Sequence, residues 1–107
     1  MTTVPSHAGS EPTRSEVDAL AGATLLEFGT SWCGYCRRAQ PLIAAALAGQ
    51  SAVRHLKVED GSGLPLGRSY GVKVWPTLVF LRDGKETARL ARPHDSAAIS
   101  QALARIV

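Results

Sequence analysis

The chain has 107 residues, which is enough for one compact domain, and its apolar runs are far shorter than the ~20 residues of a membrane-spanning helix. Twelve basic and nine acidic residues leave a net charge of +3, and the scattered basic residues argue against a nucleic-acid surface. Two cysteines exclude a disulfide-stapled scaffold and a four-cysteine zinc site.

Residues 1–14 are rich in Thr, Ser, Pro, Gly and His without a hydrophobic period, which predicts a flexible N-terminal arm ahead of a single domain at 15–107. The arm shows no basic segment followed by an apolar one, as a signal peptide would, so a cytoplasmic location is expected. A periplasmic or secreted domain trimmed of its signal peptide would begin in the same way.

The first half of the domain predicts helix, strand and helix. Ser15 is expected to cap a short helix, and the run Leu25–Phe28 is typical of a strand buried on both faces. From Gly34 to about Ala48 the apolar residues follow a helical period, with Pro41 inside the helix, where it should kink the axis.

The second half predicts three strands and further helical segments. The expected elements are a strand at 53–58, one or two helical turns at 64–70, strands at 77–81 and 86–91, and a final helix capped by Asp95. Asp83-Gly84 between the last two strands is typical of a tight hairpin. The order is therefore β-α-β, a linker, and β-β-α.

Cys33 and Cys36 lie three positions apart, where the buried strand turns into a helix. On a first helical turn, two such side chains lie on one side and can close a small disulfide ring. The positive end of the helix dipole favours a thiolate at Cys33. This spacing predicts Cys33 as the nucleophile and Cys36, one turn deeper, as the resolving thiol.

Three other interpretations of the cysteine pair are open at this point. A zinc site would need two more ligands, and the histidines do not fall at ligand spacing, so no metal is predicted; they are His7, His55 and His94. A purely structural disulfide across so short a loop would add little stability. Two inert core cysteines are disfavoured by Trp32 and Tyr35, which suggest a partly exposed rim.

The segment Phe28–Arg37, FGTSWCGYCR, resembles the active-site stretch of the thioredoxin family. Other matches at the right separations are Glu27 at the family's buried Asp, Pro41 at its helix-kinking proline, Pro76 at its cis-proline, and the Asp83-Gly84 hairpin. The resemblance covers about residues 17–107. It implies an α/β, thioredoxin-like fold, with a central mixed sheet of four strands, or five if the arm contributes, flanked by helices.

The resemblance implies a thiol–disulfide oxidoreductase, specifically a protein-disulfide reductase, with Glu27 accepting the proton of Cys36. The implied substrate-binding residues are Trp32, Gly34, Tyr35, Trp75 and Pro76, with a cis Trp75–Pro76 bond beside the disulfide. The implied redox centre is the Cys33–Cys36 disulfide, with no other cofactor. The partners would be disulfide-containing proteins and an upstream electron donor, such as a flavin-dependent reductase, acting on a monomer.

Glu27 and Trp75 each admit a second interpretation. A carboxyl among Leu25, Leu26 and Phe28 should have its pKa raised by loss of solvation, unless it points to solvent from a strand edge. His55 aligns roughly with a family lysine near that carboxylate, but a partly exposed strand histidine is expected there. Trp75 would face the substrate or, alternatively, belong to the core.

The sequence also departs from the family pattern. Tyr35 replaces the proline between the cysteines, as in bacterial disulfide isomerases, so an isomerase or oxidase of an oxidising compartment is the alternative enzyme. A non-catalytic binding module is the alternative of another class. Arg92-Pro93 stands where thioredoxins place a substrate-facing glycine, which predicts an altered partner surface.

Overall fold

The computed structural model describes residues 2–5 and 11–107, with side chains described for 11–107. The elements are β1 (Thr2–Pro5), α1 (Arg14–Asp18), β2 (Ala23–Gly29), α2 (Gly34–Leu47), β3 (Val53–Glu59), α3 (Pro65–Ser69), β4 (Thr77–Arg82), β5 (Lys85–Ala91) and α4 (Ser96–Leu103). The strands of this part of the chain form one mixed sheet in the order β1-β3-β2-β4-β5. β1, β3 and β2 run parallel, while β4 and β5 are antiparallel to their neighbours.

The edge strand β1 corrects the prediction of a flexible arm at 1–14. Thr2–Pro5 pair in parallel with residues 54–57 of β3, so the five-stranded form of the sheet is the one observed. The prediction was wrong here because it relied on an apolar pattern. An edge strand can be held by backbone hydrogen bonds to its neighbour, which leave no such pattern in the sequence. Residues 6–10 of the predicted arm lie outside the described residues.

The start of α1 also differs from the prediction, because Thr13 and not Ser15 is the N-cap. The Thr13 hydroxyl accepts the Glu16 N–H at 3.1 Å, and the Glu16 carboxylate accepts the Thr13 N–H at 2.8 Å. This reciprocal capping box needs a glutamate three residues after the cap. The competing Ser15 is followed by Asp18 at that spacing, and Asp18 instead accepts a hydrogen bond from Arg14. The helix therefore begins inside the predicted arm.

β2 lies in the middle of the sheet, and six of its seven residues are buried, as the prediction of a doubly covered strand requires. Its side chains alternate between two cores. Leu25 packs in the core that includes α2 and α4, whereas Leu26 and Phe28 pack in the core that includes α1 and α3. Glu27 alternates with Leu26 and Phe28, and its carboxylate meets α2 at Gln40.

Two further features agree with the sequence predictions. Asp83 and Gly84 both have positive φ, +52° and +79°, which is the type I′ geometry that the dipeptide predicted for the β4–β5 hairpin. α2 contains Pro41, as predicted, and begins one residue after Cys33. The cysteines therefore lie beyond the carboxyl end of a buried parallel strand, where ligands bind in open α/β sheets.

Among the residues that the structure describes, no helix is both long and apolar enough to cross a bilayer.

Candidate active site

Cys33 is the N-cap of α2, and Cys36 lies in the first turn of that helix. The Cys33 Sγ accepts the backbone N–H of Cys36 at 3.2 Å and lies 3.9 Å from the carbonyl oxygen of Trp75. Both cysteines are buried, Cys33 at 7% exposure and Cys36 at 5%. The spacing of the two cysteines therefore produces the predicted juxtaposition.

The two thiols have pKa values displaced in opposite directions. Burial raises the pKa of Cys33, but hydrogen bonds from the Cys36 thiol and from two backbone N–H groups, together with the charge of Arg92, outweigh burial and lower it. Burial raises the pKa of Cys36 to about 12, and its hydrogen bond to Cys33 and the nearby charge of Glu27 add to this effect. Cys33 is therefore the thiol that ionises first.

Glu27 is buried at 4% exposure, which rules out the alternative of a solvent-facing strand edge. Its Oε1 lies 2.7 Å from His55 Nε2, and its Oε2 accepts a hydrogen bond of 2.7 Å from Gln40 Nε2. An ionised carboxylate only accepts, so this contact is a hydrogen bond in the His55 tautomer that carries a proton on Nε2. Gln40 also donates to the carbonyl of Cys36 at 3.0 Å and accepts from Lys57 Nζ at 2.9 Å.

The predicted direction of the Glu27 pKa is wrong. Burial does raise the pKa of this carboxyl, but the hydrogen bonds from His55 and Gln40 and the electrostatic effects of His55 and Lys57 together lower it. The prediction considered only the apolar neighbours of Glu27 along its own strand. The donors that reverse the sign come from β3 and α2, which are far from β2 in the sequence.

His55 is buried at 4% exposure, which contradicts the expectation of a partly exposed histidine. His55 lies at the Glu27 carboxylate, where its rough alignment with a family lysine would put it, whereas Lys57, which pairs in register with Glu27 on β3, donates to Gln40. His55 comes two residues before Lys57, and alternate strand residues share a face. The pairing of two parallel strands is the signal that could have identified both residues.

A cavity of ≈ 300 Å³ extends from the Glu27 carboxylate to Cys36, and its polar wall includes Thr30, Gln40 and Lys57. The Thr30 hydroxyl is buried without a hydrogen-bond partner in the described part of the chain. A cavity of this size with several polar groups in its wall has room for water, which needs two to four polar partners. Glu27 and Cys36 therefore line the same water-sized space.

The rim of the site is aromatic. Trp32 is 69% exposed and Tyr35 is 49% exposed, whereas Pro76 is buried behind a cis Trp75–Pro76 bond, as predicted. Trp75 is half-buried, between its two predicted positions: its Nε1 donates to Asp60 Oδ2 at 2.8 Å, and its ring meets Trp32 edge to face at 5.7 Å. Gly34 is exposed at the start of α2, so the five predicted substrate-binding residues lie around or behind Cys33.

The chain is also similar to known proteins. The protein-family model Thioredoxin matches residues 7–105, which is nearly the whole chain. The chain belongs to the thioredoxin family. It is therefore a thiol–disulfide oxidoreductase that acts on disulfide-containing proteins, with its Cys33 and Cys36 forming the CxxC motif.

Individual relatives cover different shares of the chain. Thioredoxin of Chlamydia trachomatis is 37% identical over 73 residues, which are 67% of this chain and 72% of that protein. Protein disulfide-isomerase A2 of Pongo abelii is 38% identical over 91 residues, 79% of this chain but only 17% of that protein. The solved structure of reduced thioredoxin 2 from Pseudomonas aeruginosa is 56% identical, with a TM-score of 0.77, and the match covers 86% of this chain and 85% of that one.

Proposed function

We propose that this thioredoxin-family protein reduces protein disulfides, with Cys33 as the attacking thiol and Cys36 as the resolving thiol. The observation that carries the proposal is that the two thiols, which lie one helical turn apart, differ in pKa. The pKa of Cys33 is lowered, and that of Cys36 is raised to about 12. A thiolate is the nucleophile in thiol–disulfide exchange. Cys33 is thus the thiol that ionises more readily and attacks, while Cys36 stays protonated until the second step.

The first step transfers the bond between sulfurs. The Cys33 thiolate attacks one sulfur of the substrate disulfide, and the other substrate sulfur leaves as a thiolate that takes up a proton. In the second step, Cys36 loses its proton and attacks the Cys33 sulfur, which releases the second substrate thiolate. The substrate gains two electrons and becomes a dithiol, and the protein is left with a Cys33–Cys36 disulfide. Neither step needs a metal or an organic cofactor.

Glu27 is proposed to accept the Cys36 proton in the second step. The carboxylate is held by His55 and Gln40, and the cavity that Glu27 and Cys36 both line has room for the water that would carry the proton. The Gln40 amide bonds both Glu27 and the backbone carbonyl of Cys36, so it fixes the carboxylate relative to the helix that carries the thiol. The lowered pKa of Glu27 keeps the carboxylate ionised, and it also makes the carboxylate a weaker base than an ordinary glutamate, so the transfer depends on its position beside Cys36.

We also propose an electron donor, an oligomeric state and a compartment for this protein. An upstream electron donor, such as a flavin-dependent reductase, would restore the dithiol after each turnover. The protein would act as a monomer, because one chain carries every residue named in the two steps. It would act in the cytoplasm, a compartment that keeps protein thiols reduced.

Insulin reduction with the wild type, Cys33→Ser and Cys36→Ser tests the assignment. Cys33→Ser should lower turnover to the uncatalysed rate, because the attacking sulfur is gone. Cys36→Ser should complete the first step only and accumulate a mixed disulfide with insulin, visible by mass spectrometry without reductant. Equal turnover in the wild type and Cys33→Ser would contradict a catalytic role for the pair.

Tyr35, which replaces the proline between the cysteines, favours the second candidate, an isomerase or oxidase. The reduction potential of the Cys33/Cys36 couple separates the two functions. A value of about −270 mV supports a reductase, and one of about −120 mV supports an oxidant. Equilibration with glutathione of known redox ratio measures this potential directly.

A further inference from the structure

Arg92, whose charge helps to lower the pKa of Cys33, also covers part of the catalytic rim. It follows β5 and has a positive φ of +49°, a conformation that suits glycine better than arginine. Its backbone N–H donates to the Pro76 carbonyl at 2.9 Å. The backbone of Arg92 is therefore tied to the loop that carries the cis bond, and this tie directs the side chain over the site.

The side chain of Arg92 covers two parts of that site. Its Nε donates to the Trp75 carbonyl oxygen at 2.9 Å, and its guanidinium carbon lies 4.0 Å from the centre of the Tyr35 ring. The same Trp75 oxygen lies 3.9 Å from Cys33 Sγ. One carbonyl oxygen thus separates an exposed guanidinium from the attacking sulfur.

The guanidinium of Arg38 is a second positive charge near the Tyr35 ring. Its guanidinium carbon lies 5.2 Å from the centre of the Tyr35 ring. Within residues 11–107, neither Arg38 nor Arg92 forms an ion pair with a carboxylate. The aromatic surface beside Cys33 therefore carries two guanidinium groups whose charge the fold does not neutralise through an ion pair.

We propose that Arg92, supported by Arg38, makes this rim select disulfides whose cysteine is flanked by an acidic side chain. A polypeptide that brings a disulfide sulfur to Cys33 must pass beside the Trp75 carbonyl and hence beside Arg92. A carboxylate in that segment can pair with the guanidinium, while a lysine there meets like charge. This proposal rests on the proposed reductase function and adds a substrate class to it.

The test compares peptides that contain one disulfide and differ only at the residue next to the attacked cysteine, which is Glu, Gln or Lys. The measured quantity is kcat/KM for reduction of each peptide at low ionic strength. The wild type should favour the Glu peptide over the Gln peptide by about two- to fivefold, the range of an exposed ion pair, with the Lys peptide slowest. This preference should shrink as salt is added, since salt screens exposed charges.

The variant Arg92→Gln should lower the Glu-to-Gln ratio to about one while it still reduces the Gln peptide. Arg92→Gly removes the same charge with a residue suited to the positive φ, and should give the same ratio if the glutamine variant folds poorly. Arg92→Lys restores the charge and should restore much of the preference. Arg105→Gln is the matched control: it changes the net charge equally from an exposed position beyond α4 and should leave the ratio unchanged.

Two failures are distinguishable. If the wild type reduces all three peptides at equal rates, or if Arg92→Gln and Arg92→Gly keep the wild-type ratio, the selectivity proposal is wrong and the reductase function stands. If the wild type reduces none of the peptides and none of the insulin, the reductase function itself is wrong.

Discussion

At the scale of single residues, the position of Cys33 as the N-cap explains why two cysteines one turn apart behave differently. The Cys33 sulfur receives the Cys36 N–H, as the side-chain oxygen of an ordinary N-cap would. Cys36 lies inside the turn, buried and next to a charged Glu27. The same three-residue spacing therefore yields one stabilised thiolate and one stabilised thiol.

Alkylation should follow this difference. In the reduced protein, iodoacetamide should modify Cys33 with a rate that rises through a midpoint below the ordinary thiol pKa of about 8.5, while Cys36 stays unmodified at neutral pH. The midpoint is low because hydrogen bonds and Arg92 stabilise the Cys33 thiolate. Mass spectrometry of the digested protein after timed alkylation at each pH measures both sites.

The variant Cys33→Ser provides the control for that experiment. Its only thiol is the buried Cys36, which should remain slow to react at neutral pH. Modification of Cys36 before Cys33 in the wild type, or a Cys33 midpoint at or above about 8.5, would contradict the assignment of the two thiols.

At the scale of elements, the β4–β5 hairpin is joined to the far end of α1. A side chain at Gly84 would clash with the backbone carbonyl of Asp18, the last residue of that helix. The turn is also bonded to the α1–β2 loop, because Gly22 N–H donates to Asp83 Oδ1 at 2.7 Å and Asp83 N–H donates to the Gly22 carbonyl at 2.9 Å. The hairpin thus acts as a packing surface as well as a turn.

Replacing Gly84 by alanine tests this packing against a matched control. Gly49→Ala should cost about 1 kcal/mol, because its φ of +78° is left-handed but the space around it is open. Gly84→Ala, at a φ of +79°, should cost at least about 1 kcal/mol more, because the Asp18 backbone must also move. Urea unfolding of both variants measures the free energies, and equal losses would show that the contact with α1 contributes nothing.

At the scale of the whole molecule, a polar network joins the middle of the sheet to the helix that carries the cysteines. Glu27 comes from β2, His55 and Lys57 come from β3, and Gln40 comes from α2. A buried carboxylate is costly unless its oxygens are hydrogen-bonded, and here both oxygens have partners. The network therefore couples the protonation of the active site to the stability of the fold.

Glu27 should titrate below the ordinary glutamate pKa of about 4.3 in the reduced protein, which carbon NMR of its carboxyl group can follow. A pKa lowered by folding means that this carboxylate stabilises the folded state above about pH 4.3, and that the stabilisation is lost as pH falls through the lower folded value. The variant His55→Leu should raise the Glu27 pKa, because it removes a donor and keeps the burial. A wild-type titration above about pH 4.3 would contradict the network as described.

Much of the site was predictable because its signals are local. The Cys33–Cys36 spacing, the apolar run at Leu25–Phe28 and the Asp83-Gly84 dipeptide each specify a structure within a few residues of themselves. The resemblance to thioredoxins then added the cis bond before Pro76. The cap of α1 was assigned to the wrong residue because two capping patterns overlap there, and only the distances show which of them forms.

The sequence by itself predicted the class of fold, the two cysteines of the site and the order of attack proposed for them, because helix dipole, spacing and period act along the chain. Only the tertiary structure decided the sign of the Glu27 pKa, the burial of His55 and the contact of Arg92 with the Trp75 carbonyl. Each of these depends on the register between strands or on a turn that directs a distant side chain. Electrostatic effects at the site are sums over neighbours in space, and most of those neighbours lie far apart in the sequence.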